Sequence, residues 1–321
     1  MRVAIVGAGG IGGLYGALLA RAGHQVSFLA RGAHLEAIRR NGLEIRSADF
    51  GTFTIPAQAS DDPTELGQAD LILFAVKTFD LDQAAQAARQ MLAPEGSLLT
   101  FQNGLDAPDQ VAQIVGPERV LIGTTRLETT ILEPGVIGHL SPGHHISVSA
   151  LDGPPTPQVE QTVAVLKGAG ITTEALPDGR RALWDKASML VPMATISSVC
   201  RSSLGPIRDV PETLALFKTL LDEFAAVGAA CGYDLTEAPE RGMRMMATIS
   251  PTWKTSMSRD FERGNRTELE ALTGVVVRLA DTRNVAVPAT RTAYAILKLR
   301  EQVENGHAGA RYAVGTAADR R

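Results

Sequence analysis

The segment RVAIVGAGGIGG, residues 2–13, carries the strongest structural signal in the sequence. Its first five residues, Arg2 to Val6, have the apolar and β-branched composition of a short buried strand. The next six form G-x-G-x-x-G and open a helix-like run over residues 11–22. In such a strand–turn–helix, the first glycine makes the tight turn, the second lets the backbone approach a pyrophosphate, and the third lets helix and strand pack closely. We therefore predict that a dinucleotide binds to Gly7, Ala8, Gly9, Gly10, Ile11 and Gly12.

Apolar runs and helical stretches alternate through the first 175 residues. The further strand-like runs are 25–29, 69–76, 97–101, 119–124 and 171–175, and residues 43–57 and 129–149 alternate as hairpins do. Continuous apolar strands separated by helices are typical of a parallel sheet covered on both faces. After residue 178 only helical spacing remains, at 182–199, 211–231, 237–246, 266–284 and 289–305. We predict an α/β fold: an N-terminal Rossmann-type doubly wound sheet that binds NADP, residues 1–178, and an all-α C-terminal domain that carries substrate and catalytic residues, residues 179–321.

Composition excludes several classes of function. Of the 321 residues, 45% are hydrophobic and 21% charged, and the net charge is −4, so the chain has no general attraction to nucleic acid or to anionic membranes. No signal peptide and no run of membrane-spanning length is seen. The two cysteines have no zinc-ligand spacing, and His144-His145 has no third ligand at a suitable distance along the chain, so no metal site is predicted. We expect a cytoplasmic protein with neither nucleic-acid nor membrane partners.

The identity of the dinucleotide is indicated at the end of the second predicted strand. An NAD-binding chain is expected to place Asp or Glu there, as an acceptor for the ribose hydroxyls. This sequence has Ala30-Arg31-Gly32 instead. A carboxylate would repel a 2′-phosphate, whereas the guanidinium of Arg31 can bind one bidentately. We predict NADP(H), with Arg31 as a cofactor ligand; the alternative is that Arg31 is an ordinary exposed arginine.

Polar residues follow two more of the predicted strands. Val76-Lys77-Thr78 and Gln102-Asn103-Gly104 each come at the carboxyl end of a strand, where open α/β sheets bind their ligands. Lys77 and Asn103 are therefore candidate site residues. Two further segments lie in the helical half, Leu183-Trp184-Asp185-Lys186 and the stretch from Ser256 to Glu268. Taken alone, Lys186 and Glu268 would be read as solvated surface residues.

In these motifs together, the chain resembles the ketopantoate reductase (2-dehydropantoate 2-reductase) family from residue 1 to about residue 300. The resemblance rests on the glycine loop with Arg31, V-K-T at 76–78, Q-N-G at 102–104, W-x-K at 184–186, and S-M-x-x-D-x-x-x-G-x-x-T-E at 256–268. It implies that NADPH reduces a 2-oxo acid to a 2-hydroxy acid. The family's default substrate is ketopantoate, which becomes pantoate in pantothenate biosynthesis.

The resemblance also implies roles for single residues. The catalytic lysine falls on Lys186, which would donate a proton to the carbonyl oxygen, and its acidic partner falls on Glu268. Asn103 and Ser256 match residues that hold polar groups of the substrate. Lys77 matches a lysine near both cofactor and substrate, and Asn103 also belongs to the predicted cofactor-binding set.

The chain departs from the family on the helix after Lys186. The family has asparagines four and eight residues on, where this sequence has Leu190 and Ala194. Those spacings keep both positions near the face of Lys186, so that face has lost two amides. Ser197 returns to nearly the same face and is a possible replacement, although Pro192 is expected to kink the helix. The departure leaves the substrate open.

Three functions therefore remain in competition. The first is reduction of ketopantoate, and the second is reduction of a different, more apolar 2-oxo acid or of a small carbonyl or imine compound. The third is a non-catalytic dinucleotide-binding sensor, against which the retention of Lys186 and Glu268 argues. The sequence also leaves a homodimer possible, with residues 214–230 as a candidate face, although apolar helical stripes are more often core.

Overall fold

Contacts divide the chain into two compact units, Met1–Leu183 and Trp184–Arg321. A computed structural model of the chain describes residues 1–304, so the end of the predicted second domain, at residue 321, lies outside the described residues, as does the end of the predicted helix 289–305. The first unit contains the strands β1 (Arg2–Val6), β2 (Gln25–Leu29), β3 (Leu43–Ser47), β4 (Gly51–Ile55), β5 (Gln58–Ser60), β6 (Ala69–Phe74), β7 (Leu92–Thr100), β8 (Val120–Thr125), β9 (Thr129–Glu133), β10 (Val136–His139), β11 (Ile146–Ala150) and β12 (Thr173–Ala175).

Eight of these strands form the central sheet of the first unit, in the order β12-β11-β8-β7-β6-β1-β2-β5. All neighbouring pairs are parallel except β8 and β11. The connecting helices are α1 (Gly10–Arg21), α2 (Gly32–Asn41), α3 (Leu81–Met91), α4 (Ala107–Val115) and α5 (Pro157–Gly168). The strands β6, β1 and β2 lie side by side, which places three of the predicted site segments at one edge of the sheet.

The apolar runs of the sequence are explained by two cores, one on each face of this sheet. In β1, Val3 and Ile5 pack into the core that contains α1 and α5, whereas Ala4 and Val6 pack into the core that contains α3 and α4. Strand β6 divides in the same way. Because both faces are covered, neither strand shows the polar alternation of a half-exposed strand.

A second sheet of four strands, in the order β4-β3-β10-β9, also belongs to the first unit. The hairpin β3–β4 was expected from its alternation, as was the pairing of β9 with β10. The sheet exists because β3 and β10 then pair in parallel, with Ile45 opposite Ile137. Both of these isoleucines are fully buried in the core that contains α1.

The boundary between the units falls inside the long helix α6 (Gly179–Cys200). Its first turn packs within the first unit, because Arg180 donates two hydrogen bonds to Asp109, of 2.7 and 2.8 Å, and two to Asp152, of 2.7 and 3.4 Å. Leu183 joins the core that contains α3 and α4. The sequence-based boundary at residue 178 coincides with the start of α6, and the contacts divide the chain five residues later.

The second unit is helical over the residues described, 184–304, and contains no strand there. Its helices after α6 are α7 (Leu204–Asp209), α8 (Pro211–Ala230), α9 (Ala238–Thr248), α10 (Ser256–Glu262), α11 (Val275–Arg283) and α12 (Pro288–Glu304). The apolar stripe of α8 is core: Phe217, Leu220 and Leu221 are buried against α6 and α9. The predicted fold class is confirmed. None of the helices within residues 1–304 is long and apolar enough to cross a membrane.

Candidate functional site

The glycine-rich turn after β1 combines glycines required by the fold with one that leaves open space. Gly7 has a φ of +98°, and a Cβ there would lie 2.8 Å from the backbone of Ala75 and Val76. A Cβ on Gly12 would lie 2.2 Å from the carbonyl oxygen of Gly7. A Cβ on Gly9 would meet no atom of residues 1–304 within 4 Å, so packing within this part of the chain does not require glycine there. The space beside Gly9 therefore fits a ligand that approaches the backbone closely.

The start of α1 provides hydrogen-bond donors beside this space. Gly9 is the N-cap residue and supplies no side-chain cap, and the first turn of α1 contains no acidic residue. The first N–H groups of a helix have no partner within the helix, and here they belong to Gly10, Ile11 and Gly12. Together with the helix dipole they favour an anion, as the pyrophosphate of a dinucleotide requires.

A histidine that the sequence analysis did not single out fastens this turn to the second sheet. In α2, His34 accepts a hydrogen bond at Nδ1 from the N–H of Gly135, at 3.0 Å. Its Nε2 must then carry the proton of the neutral ring, which it donates to the carbonyl oxygen of Ala8 at 2.8 Å. Burial lowers the pKa of His34, so the neutral form is favoured. No motif in the sequence marks this residue.

Arg31 lies at the carboxyl end of β2, as the N-cap residue of α2. Its Nη2 forms a hydrogen-bonded ion pair with a carboxylate oxygen of Asp80. Asp80 ends a 3₁₀ turn, Thr78–Asp80, that follows β6 and has Lys77 at its N-cap. The guanidinium predicted to bind a 2′-phosphate thus has an acidic partner in the protein. The sequence analysis did not predict a role for Asp80. In the sequence it is marked only as an acidic residue three positions after Lys77.

Gln102 ties together the two strand ends that carry Lys77 and Asn103. Its side-chain amide donates to the carbonyl oxygens of Phe74 and Val76, both at 3.0 Å. The side chain is buried, and its Oε1 has no hydrogen-bond partner among the residues described. Lys77 and Asn103, each only partly exposed, therefore lie just beyond the carboxyl ends of two neighbouring strands, β6 and β7.

In the helical unit, Lys186 lies near the beginning of α6 and is half-buried. Two residues earlier, Trp184 stacks on Tyr233 with ring centroids 4.9 Å apart, and it meets Phe224 at 5.6 Å. These aromatic contacts anchor the turn of α6 that carries Lys186 to α8 and to the segment that follows it.

Ser256 is the first residue of α10. The preceding residue, Thr255, is the N-cap: its hydroxyl accepts a hydrogen bond from the N–H of Ser258 at 3.2 Å. The same hydroxyl lies 3.1 Å from Oγ of the buried Ser197 on α6. A buried hydroxyl pair therefore connects the helix of Lys186 to the start of the helix of Ser256.

Glu268 is 6% exposed, and a π-helical turn, Glu270–Gly274, follows it almost at once. The turn is fastened to α6 by Thr273, whose hydroxyl lies 2.8 Å from that of Thr195. Before Glu268, the hydroxyl of Thr267 donates to Glu301 on α12 at 2.5 Å. The predicted single helix over residues 266–284 is wrong in this part, because the backbone widens into the π turn before α11 begins.

The face of α6 after Lys186 is apolar, as the sequence indicated. Leu190 is half-buried and Ala194 is fully buried. Ser197 does not leave its hydroxyl available as a replacement, because it is also buried and contacts Thr255 and, at 3.4 Å, the carbonyl oxygen of Ala194. Of the two positions at which the family's asparagines are replaced, Leu190 therefore keeps some exposed surface, whereas Ala194 keeps none.

The two adjacent histidines are engaged by other side chains of the first unit. His144 contacts Asp49 at 3.0 Å and Thr172 at 3.3 Å, and His145 lies 3.2 Å from Glu174. The hydrogen bonds from His144 and from the N–H of Gly143 lower the pKa of Asp49. No group of three or more potential ligands suited to a metal ion is present within residues 1–304.

Comparison with known proteins identifies the family. Residues 3–153 match the family described as ketopantoate reductase PanE/ApbA, and residues 178–301 match its C-terminal family, ketopantoate reductase PanE/ApbA C terminal. The chain belongs to the ketopantoate reductase family. It is an oxidoreductase acting on a CH–OH/C=O group, from a family of dinucleotide-binding reductases.

Relatives of known name or structure match 94–95% of the chain. A PanE/ApbA family ketopantoate reductase from Ralstonia eutropha is 31% identical, with a TM-score of 0.88 over 95% of this chain and 99% of that one. The 2-dehydropantoate 2-reductase of Halobacterium salinarum is 29% identical over 94% of this chain and 99% of its own. A D-mandelate dehydrogenase, solved with NADH and anilino(oxo)acetate, is 19% identical and has a TM-score of 0.87, covering 95% of this chain and 100% of that one, which shows the shared fold.

Proposed function

We propose that this ketopantoate reductase family member uses NADPH to reduce a 2-oxo acid to a 2-hydroxy acid, with ketopantoate as the family's default substrate and pantothenate biosynthesis as its pathway. The observation that carries the proposal is the support given to Glu268 and Lys186. Burying a charged carboxylate is costly unless it is paired and hydrogen-bonded. Here buried hydroxyl pairs join the helix of Lys186 to the segments that carry Glu268 and Ser256.

The choice of NADPH is supported by the first unit. The end of β2 offers Arg31 and no acid, and the start of α1 has the open space and the free donors that a pyrophosphate needs. Arg31 would bind the 2′-phosphate, and the N–H groups of the glycine turn would bind the pyrophosphate. Lys77 and Asn103, at the ends of β6 and β7, would lie towards the nicotinamide and the substrate.

In the proposed chemistry, one polar residue donates a proton and the others orient the reacting groups. The bound nicotinamide supplies the hydride for the keto carbon. The ammonium group of Lys186 donates a proton to the keto oxygen and stabilises the negative charge that develops there. Glu268 orients Lys186 and the substrate, and Asn103 and Ser256 hold polar groups of the substrate.

A second candidate is the reduction of a more apolar 2-oxo acid. It is favoured by Leu190 and Ala194, which replace the family's two asparagines, and by the internal hydrogen bonds of Ser197.

The test is NADPH consumption with a panel of 2-oxo acids, for the unmodified protein and for Lys186→Ala. General acid catalysis contributes about 10²–10⁴ in rate, so the variant should lose that factor in kcat and still bind NADPH. Lys218→Ala, which removes an exposed lysine of α8, is the matched control. Full activity in Lys186→Ala, or loss of its NADPH binding, would show that Lys186 is not the acid.

A further inference from the structure

The guanidinium of Arg31 already has an acidic partner within the protein. Within residues 1–304, Asp80 is its one hydrogen-bond and ion-pair partner through the side chain. The Arg31 side chain is nevertheless 73% exposed and that of Asp80 is 23% exposed. A ligand can therefore reach Arg31 without unfolding any part of the protein, and it meets Asp80 at the same place.

The position of this ion pair is that of the adenosine ribose in a dinucleotide-binding sheet. Strand β1 pairs with β6 on one side and with β2 on the other, all in parallel. Arg31 follows β2 and Asp80 follows β6, so the ion pair extends across the carboxyl end of β1, where the glycine turn begins. In such sheets the ribose 2′ position is recognised at the end of the second strand, by an acid for NAD or by an arginine for NADP.

Asp80 supplies Arg31 with the chemistry that a 2′-phosphate would also supply. A carboxylate and a phosphate both accept hydrogen bonds from a guanidinium. The paired groups have a net charge of zero, whereas Arg31 alone would offer +1 to the phosphate. Asp80 contacts only Nη2, so an incoming phosphate competes with it for that nitrogen of Arg31, and beside the other guanidinium donors it still experiences repulsion from the carboxylate.

We propose that Asp80 is a specificity-determining residue that competes with the 2′-phosphate of NADPH for Arg31 and thereby lowers the preference of the site for NADPH over NADH. This inference rests on the proposed use of NADPH. Asp80 has no capping role that would confound a substitution, because its side chain makes no cap hydrogen bond to α3.

The experiment measures the Kd of NADPH and of NADH by fluorescence titration, without substrate, in four variants and the unmodified protein. Asp80→Asn removes the charge while keeping the shape. Asp82→Asn makes the same change of net charge on an exposed residue of α3 and serves as the matched control. Arg31→Ala and the double variant Arg31→Ala/Asp80→Asn complete a cycle.

We expect Asp80→Asn to tighten NADPH binding about three- to tenfold and to change NADH binding by less than about twofold, because only NADPH carries the competing charge. Asp82→Asn should change neither affinity. In the Arg31→Ala background the gain from Asp80→Asn should shrink, since the group for which the two anions compete is gone.

Each contrary result has a separate meaning. If Arg31→Ala weakens NADPH binding selectively but Asp80→Asn does not tighten it, the competition is refuted while the use of NADPH stands. If Arg31→Ala affects NADPH and NADH alike, the proposed cofactor preference is itself refuted. A loss of NADH affinity in Asp80→Asn would overturn the inference too, because Asp80 would then be an acceptor for ribose hydroxyls.

Discussion

Leu190 is the position at which a single substitution should move the substrate preference of this protein. The family resemblance places an asparagine there and another at Ala194, but Ala194 is fully buried in α6. Leu190 retains exposed surface and lies one turn after Lys186 on the same face of the helix. The informative change is therefore Leu190→Asn, which restores one amide beside the proposed acid.

The expected size follows from the hydroxyl group of ketopantoate. A buried hydroxyl without a partner costs about 1–3 kcal/mol, which corresponds to roughly five- to 150-fold in kcat/KM. The unmodified protein should therefore reduce the analogue that lacks the terminal hydroxyl at least as well as ketopantoate. Leu190→Asn should raise the ratio of kcat/KM for ketopantoate to that for the analogue by about five- to tenfold.

The assay is the initial rate of NADPH oxidation with each of the two substrates, and Leu190→Met is the control. Methionine keeps the position apolar, so it should leave the ratio within about twofold of its original value. A preference of the unmodified protein for ketopantoate of about a hundredfold would refute the reasoning, since the polar contacts would then come from elsewhere. Equal shifts in Leu190→Asn and Leu190→Met would refute it as well.

Two further predictions concern stability. The buried carboxylate of Glu223 accepts hydrogen bonds from the N–H groups of Ala289 and Thr290, at 2.9 and 2.7 Å, and from the Thr290 hydroxyl at 2.6 Å. Glu223→Ala should therefore lower the free energy of unfolding, measured by urea titration, by about 2–4 kcal/mol, and Glu223→Gln should lower it by less. Burial lowers the pKa of His34 in the folded state, so the unfolded chain binds a proton at this residue at a higher pH than the folded protein does. The contribution of His34 to the free energy of unfolding is therefore complete above about pH 7 and should decline as the pH falls below about 6.5. The difference in unfolding free energy between the unmodified protein and His34→Gln should therefore shrink between about pH 6.5 and 5; a difference that grows would mean that His34 is charged in the folded protein.

The sequence alone was sufficient for the fold class, because the patterns that encode it are local. The apolar run of β6 predicts a strand buried on both faces, as the structure has it. The G-x-G-x-x-G sequence between β1 and α1 predicts a tight turn, in which Gly7 has a positive φ and Gly12 has no room for a side chain. The reaction class also followed from the sequence, through motifs whose combination marks the family. The roles of Lys186, Glu268 and Ser256 remain predictions, and Lys186→Ala tests the first of them.

Tertiary structure decided what depends on residues far apart in the chain. The parallel pairing of β3 with β10, the bridge of His34 from Ala8 to Gly135, and the ion pair of Arg31 with Asp80 each join segments whose local patterns carry no information about the partner. The π turn before α11 also could not be predicted from local pattern, since the helical spacing there predicts a regular helix. In the structure this wider turn contacts a residue far away in the sequence, Thr195. Periodicity determines which face of an element is buried, whereas the choice of partner is made only when the distant faces meet.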